Sequence, residues 1–393
     1  MSQETLILAG ARTPWSRYVG QFSDVSAIEL GAVAARGAID RAGVDPSHID
    51  HVIMGNAQQT SRDALYGARH VGLKAGVSEE TPALTVNRIC GSGIQSIVSA
   101  AQLLQLGEAD VVLAGGMENM TQAPHVIYGA RQGFPIGGGK MEDSLTAALL
   151  DTYCGFSMSQ TSDNLANRFD ISREQQDEYA LSSQNRAAAA LGRGVFAEEI
   201  VPVEVKTRKG VNVVDADDHM RPDTTLEVLA RLKPAFGPDS FVTAGNASGV
   251  VDGAAAVVVA TAEFAAEHGK EPLGKIVSWG ICGVEPAYMG IGPVPASKLA
   301  LERAGWALDD VGLVEVNEAF AGQYLAVESE LGLDRERTNV NGGAIALGHP
   351  LGATGTRLVY TVLQELNRRG GGRGLATACI GGGQGIAMCV EVD

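Results

Sequence analysis

A chain that repeats itself limits its own fold more than any single motif does. The stretch IDRAGVDPSHIDHVIMGN (Ile39–Asn56) lines up with LERAGWALDDVGLVEVN (Leu301–Asn317) with one residue of slippage. TVNRICGSG (Thr85–Gly93) matches NVNGGAIALGHPLGATG (Asn339–Gly355) in its Val-Asn lead and in the glycines ahead of a helix. VVLAGGMENM (Val111–Met120) pairs with LATACIGGGQGIAM (Leu375–Met388) as an apolar run entering a glycine turn. Two halves offset by about 250–260 residues predict a duplicated fold, which brings equivalent loops to a shared interface.

Each half reads as alternating strands and helices. TLILAGARTP is a strand and turn, Ala27 to Ala42 an amphipathic helix, IDHVIMGN a strand, and Cys90 to Leu106 a helix. The order βαβαβ predicts an α/β domain with helices over a largely parallel sheet. Between the halves, Thr121 to Gly249 is richer in charge, with polar helices such as SREQQDEYALSSQNRAAAA and Ser172 as its N-cap. It is expected to fold over the active face, with the glycine-rich YGARQGFPIGGGK (Tyr128–Lys140) as a lid. The boundaries read from this pattern are a first half at 1–120, an excursion at 121–249, a return at 250–270, and a second half at 271–393.

Composition narrows the function classes. With 393 residues, 45% hydrophobic and 19% charged, the chain can bury two or three core units. A net charge of −16 argues against a nucleic-acid surface, which needs clustered Lys and Arg, though not against a nucleotide-bearing ligand. Five cysteines without ligand spacing fit a reducing compartment, the cytoplasm or a mitochondrial matrix, rather than disulfides or a zinc site. No signal peptide and no membrane-spanning run is expected.

Four glycine-flanked stretches carry reactive or polar side chains at turns: Cys90 in NRICGSG, Asn317 in VNEAF, His349 in GGAIALGHPLGATG and Cys379 in TACIGGGQG. A cysteine at a helix N-terminus can be stabilised there as a thiolate. Singly, each has a plainer reading: Cys90 and Cys379 as inert thiols, Asn317 as a helix cap, His349 as a satisfied turn histidine. Together they sit at strand-to-turn junctions, the usual place for active groups in α/β sheets.

NRICGSG, GGMENM, GNASG, VNEAFA, NVNGGAIALGHPLGATG and CIGGGQG together resemble the thiolase family, in order and across essentially the whole chain. RPDTTLE, MGIGPVPA and LVEVNEAFAGQYLAVE resemble its degradative, mitochondrial-type 3-ketoacyl-CoA group. The resemblance implies two βαβαβαββ halves in a layered α-β-α-β-α core with a loop domain inserted in the first. It implies thiolytic cleavage of a 3-oxoacyl-CoA by CoA, or the reverse condensation, in fatty acid β-oxidation. CoA is then a substrate rather than a resident cofactor, and the assembly a homotetramer built as a dimer of dimers.

The resemblance also assigns roles. Cys90 is the nucleophile, His349 takes its proton, and Cys379 is the acid/base at the α-carbon, apt for a thiol near its ordinary pKa of about 8.5. One oxyanion site is His349 with a water held by Asn317; the other is the backbone N–H of Cys90 and Gly381. Arg221 and Thr224 lie beside the CoA adenine and phosphate. Ser248, Ala244, Phe236, Ala319 and Phe320 line the pantetheine channel, and Ser157, Met158 and Met289 the acyl pocket. Arg221 also reads as a surface arginine before a proline, and Ser248 as a loop hydroxyl bonding its own backbone.

Two positions depart from family patterns. Val251-Asp252 stands where many acetoacetyl-CoA thiolases have Asn-Asp, and Ser157-Met158 where they have His-Met and the degradative type has Pro-Met. These departures leave acetyl-CoA C-acetyltransferase as the alternative activity. A β-ketoacyl synthase would carry a second His or an Asn in place of Cys379. A dinucleotide enzyme would show a strand–GxGxxG–helix unit, which is not apparent. A scaffold would have no use for two cysteines, a histidine and an asparagine at these turns.

Overall fold

The computed structural model describes residues 4–393. The first half runs β1 (Thr5–Arg12), α1 (Ala27–Ala42), β2 (His51–Gly55), α2 (Gly67–Ala75), β3 (Ala83–Val86), α3 (Ser92–Leu106) and β4 (Val111–Glu118). The chain then leaves the sheet for an excursion containing α4 (Met158–Arg168) and α5 (Arg173–Gly192), and returns at β5 (Val251–Thr261). The second half runs β6 (Gly274–Gly283), α6 (Pro293–Ala304), β7 (Leu313–Val316), α7 (Ala321–Leu331), α8 (Leu351–Arg369), β8 (Gly372–Ile380) and β9 (Gln384–Val392).

The sheet path shows the duplication directly. Its order is β7-β8-β9-β6-β1-β5-β4-β2-β3, with the halves joined where Thr5–Ile7 pairs with Gly274–Ile276. A parallel bridge from Val314 to Thr338 stands where the first half has β3. Both halves therefore follow one βαβαβαββ order, with the second half's third strand reduced to that bridge. The expectation of a largely parallel sheet is corrected. β2 pairs in parallel with β3 and β4, and β7 with β8, but β4/β5, β5/β1, β6/β9 and β8/β9 are antiparallel. β8 turns directly into β9, and β4 reaches β5 only through the long excursion, so neither pair is joined by the single helical crossover that makes parallel neighbours, and both are antiparallel.

β5 (VDGAAAVVVAT) is buried at every position because helices cover both faces: α1 on one side, α3 and α8 on the other. A strand so enclosed reads as a continuous apolar run rather than an alternation. α6 covers the far face of the second half's sheet, which completes five α-β-α-β-α layers. The central helix pair can approach closely only because its crossing is glycine. A Cβ on Gly93 would lie 2.3 Å from the Thr356 amide nitrogen, and one on Gly355 would lie 2.4 Å from that of Ile94. The reciprocity of these contacts is the local signature of the repeat. No helix among the described residues is long and apolar enough to cross a membrane.

Candidate active site

The two central helices start beside one another, and the turns that precede them carry the reactive side chains. Cys90 lies in a single 3-10 turn (Ile89–Gly91) immediately before α3. That turn is braced by its neighbours. Asn87 Oδ1 accepts the Ile89 N–H at 2.9 Å, and Ser92 Oγ accepts the Arg88 N–H at 2.9 Å while donating to the Ile89 carbonyl at 2.7 Å. Ile89 is held at φ 47°, a costly conformation for a β-branched residue, and the bracing maintains it next to the nucleophile candidate.

Cys90, His349 and Cys379 open onto one mostly apolar cavity of about 150 Å³, with Met158, Ser157, Ser248, Phe236, Met289, Ala319 and Phe320 in its wall. Asn317 is fully buried and reaches His349 Nε2 with its Nδ2 at 3.3 Å, while its Oδ1 has no partner. A second cavity of about 230 Å³ shares Cys90, Leu149, Met158 and Leu351 with the first and adds Ile89, Leu150, Thr152, Gly381 and Gly382. Cys90 thus stands between two adjoining spaces. Leu149 to Thr152, with Ser157 to Ser159, form their excursion-side wall. The glycine-rich Tyr128–Lys140 stands exposed outside that wall, so the lid expected there is corrected: the covering comes from the segment that follows it.

Electrostatics change two expectations. Cys90 is half-buried at the cavity wall, yet enough protein surrounds Sγ that burial pushes its pKa up to about 12, against the pull of the Gly381 and Cys90 N–H groups. The thiolate expected from a helix N-terminus is corrected to a resting thiol: desolvation outweighs the donors. Cys379 is buried at 1% exposure, and burial together with nearby Cys90 holds its thiol well above the ordinary value, so it too rests protonated. His349 is driven the other way. Burial first, and the Arg357 guanidinium second, lower its pKa to about 3, which leaves a neutral imidazole.

The remaining sequence candidates scatter. Ser248 lies in the cavity wall with its N–H on the Ala319 carbonyl at 3.0 Å. Arg221, Thr224 and Ala244 lie outside the cavity wall: Arg221 is exposed, and its N–H is held by Gln184 Oε1 at 2.9 Å. Thr224 Oγ1 donates to the Arg221 carbonyl at 2.8 Å. The two departures have structural uses. Val251 packs under Gly348, where a Cβ would meet it at 2.3 Å. Ser157 caps α4, accepting the Gln160 N–H, while Gln160 Oε1 takes the Ser157 N–H in return.

Sequence reasoning passed over Glu118 and Thr354. Glu118, in GGMENM, is fully buried and accepts from Asn56 Nδ2 and from the N–H groups of Ala57, Gln58 and Gly352. Thr354 Oγ1 lies 2.6 Å from His349 Nδ1. The signal for Thr354 was its place in the helical turn just after the histidine, which puts it back over the preceding turn.

Comparison with known proteins agrees with this geometry. Residues 5–263 match the family described as "Thiolase, N-terminal domain" and residues 270–392 the one described as "Thiolase, C-terminal domain". The chain is 52% identical over 386 residues to human "3-ketoacyl-CoA thiolase, mitochondrial", covering 98% of this chain and 97% of that protein. It is 48% identical over 393 residues to an "Acetyl-CoA acetyltransferase" of Rhizobium meliloti, covering all of both. The crystal structure of human mitochondrial 3-ketoacyl-CoA thiolase in complex with CoA superposes with a TM-score of 0.97 at 50% identity, covering 100% of this chain and 98% of that one.

Proposed function

The chain belongs to the thiolase family, and from that premise we propose how its residues divide the work. It is an acyltransferase that cleaves a 3-oxoacyl-CoA with CoA to acetyl-CoA and a shortened acyl-CoA, and runs the condensation in reverse. CoA enters as a substrate, and no resident cofactor takes part.

Cys90 passes its proton to His349 Nε2 as Sγ attacks the 3-oxo carbon. The tetrahedral adduct then breaks its Cα–Cβ bond, leaving an acyl group on Cys90, and the acetyl-CoA enolate takes a proton from Cys379. An incoming CoA thiol gives its proton back to Cys379 and attacks the acyl-cysteine. Cys90 leaves and recovers its proton from His349, so each group returns to its starting state. The N–H groups of Cys90 and Gly381 hold one oxyanion, and His349 with a water on Asn317 the other. Two resting thiols and a neutral imidazole suit this cycle, since each proton moves only as charge develops. Arg221 and Thr224 are assigned to the CoA adenine and phosphate, and Ser248, Ala244, Phe236, Ala319 and Phe320 to pantetheine.

The observation that carries this reading is the meeting of Cys90, His349 and Cys379, from both halves, on one apolar cavity wall. Acetyl-CoA should leave an acetyl group on Cys90, found by mass spectrometry of the digested protein. Acetylation at another cysteine, or none, would remove the nucleophile assignment.

For chain length, the second cavity beside Cys90 favours substrates longer than acetoacetyl-CoA, and with them a role in β-oxidation. Ser157, Met158 and Met289 are assigned to the acyl pocket. The 48%-identical acetyltransferase relative keeps acetoacetyl-CoA as the second reading. A panel of 3-oxoacyl-CoAs decides: kcat/KM for the six- and eight-carbon substrates should at least equal that for acetoacetyl-CoA.

Self-association belongs to the same reading. β3 is an open sheet edge, and exposed Leu65, Tyr66 and Leu84 flank it, which supports pairing with a second copy. A dimer of dimers should appear in light scattering as four times the mass of the 40.8 kDa chain. Five free cysteines fit the cytoplasm, or the mitochondrial matrix for a eukaryotic source.

A further inference from the structure

We propose that Thr354 is a positioning residue that fixes the tautomer of His349, placing the resting proton on Nδ1 and leaving Nε2 as a lone pair toward Asn317 and the cavity. This rests on the reading of His349 as the base for Cys90. The argument is an accounting of protons. Thr354 Oγ1 contacts the Pro350 carbonyl at 3.1 Å and His349 Nδ1 at 2.6 Å, and Asn317 Nδ2 contacts His349 Nε2 at 3.3 Å. The Pro350 carbonyl only accepts and Asn317 Nδ2 only donates, so the arrangement in which all three contacts are hydrogen bonds has Thr354 giving its proton to Pro350 and Nδ1 donating to Thr354 Oγ1. Nε2 then accepts from the Asn317 amide. This arrangement gives each of the three contacts one donor and one acceptor.

The duplicated half supplies an independent check. Ser92 precedes Gly93 as Thr354 precedes Gly355, at the reciprocal crossing of α3 and α8. There the direction is beyond choice: the Arg88 N–H can only donate to Ser92 Oγ, and Ser92 donates to the Ile89 carbonyl. The twin hydroxyls share one habit, giving their proton to a carbonyl in the preceding turn and receiving one from the residue just before it. In the first half the habit secures the backbone ahead of Cys90; in the second it secures the imidazole. Thr354 is fully buried, so water does not compete for the contact. A neutral hydroxyl orients the ring without holding it as imidazolium, so the proton taken from Cys90 is readily returned.

Nitrogen-15 correlation spectra of histidine-labelled wild-type protein test the tautomer without any variant or substrate. His349 should show a protonated Nδ1 and a bare Nε2, and a protonated Nε2 would overturn the proposal. Thr354→Val removes the hydroxyl at nearly constant volume. Its spectrum should shift toward protonated Nε2, and kcat should fall on the order of 10²-fold, within the range a general base supplies, with KM for acetyl-CoA unchanged. Thr354→Ser restores the hydroxyl and should restore most of kcat. A Val variant with normal kcat, or a Ser variant as impaired as Val, would refute the assignment. Should acetyl-CoA fail to acylate Cys90, the functional reading falls while the wild-type spectrum still decides the tautomer.

Discussion

Glu118, at the end of a first-half strand, accepts the N–H of Gly352, at the start of a second-half helix, at 2.8 Å. The same carboxylate takes the amides of Ala57 and Gln58, so one side chain ties three turns around the cavity. Burial pushes its pKa up to about 7, while those donors pull the other way.

Glu118→Gln keeps the shape and turns one acceptor into a donor facing backbone N–H groups. Leaving such groups unpaired in a buried site costs about 1–3 kcal/mol. Chemical denaturation should show a loss of that size, and kcat should fall with it because Gly352 stands three residues past His349. An unchanged midpoint would mean the tie is not structural.

With a pKa near 12, Cys90 should react with iodoacetamide ever faster as pH rises from 7 to 10, with no plateau near 8. Prior acetyl-CoA should protect it, and Cys154, Cys282 and Cys389 should be unaffected by acetyl-CoA. A plateau near neutrality would reveal a thiolate paired with an imidazolium.

The repeat, the four reactive turns and the excursion were legible because each is a local pattern: glycines at turns, apolar runs at strands, a change in charge density. Strand direction was not, because β4 and β5 are separated by the whole excursion and only their pairing makes them antiparallel neighbours. Protonation was hidden for a related reason. CGSG shows only the N–H of Cys90 itself; the Gly381 N–H and the apolar side chains that surround Sγ, Leu149, Met158 and Leu351 among them, come from distant parts of the chain. Ser157 shows a third limit: one side chain serves both as the S-x-x-Q capping box with Gln160 and as cavity wall, and the resemblance to a family motif implies only the second use.

His349 couples the fold to pH. Free histidine titrates near 6.5, whereas here burial holds the ring neutral down to about 3. Between those values the unfolded chain binds a proton that the native one does not, so this contribution is present above 6.5 and lost as pH falls toward 3. Glu118 contributes with the opposite sign, fading as pH rises from 4.5 to about 7, because the native state holds its proton longer. His349→Gln isolates the first effect. Its stability should gain less than that of the wild type as pH rises through the histidine window, measured by urea unfolding at each pH. Equal gains would mean the ring is not held neutral.

Cys379→Ser should separate the half-reactions. A serine hydroxyl is a far weaker acid, so proton exchange at the acetyl methyl group of acetyl-CoA should be lost. Acetyl transfer to Cys90, in which Cys379 only returns a proton to the departing CoA thiolate, should be slower but should persist and be seen by mass. Normal exchange in the variant would remove Cys379 from the α-carbon step.

Ser157→His tests chain length, but it also removes a helix cap. Loss of an N-cap serine costs about 0.5–2 kcal/mol, so lower stability alone says nothing about the pocket. Ser157→Ala loses the same cap while adding no volume, and the pair of variants separates the effects. Both should unfold earlier than wild type by similar amounts. Only the histidine places a ring in the wall shared with Met158 and Cys90, and only it should lower kcat/KM for the eight-carbon substrate relative to acetoacetyl-CoA. Each methylene kept in water forfeits about 0.8 kcal/mol, near fourfold, so exclusion of a few carbons should shift the ratio by about 10–200-fold, the usual reach of a pocket change. If Ala and His shift the ratio equally, the cap rather than the pocket sets the preference, and Ser157 leaves the acyl site.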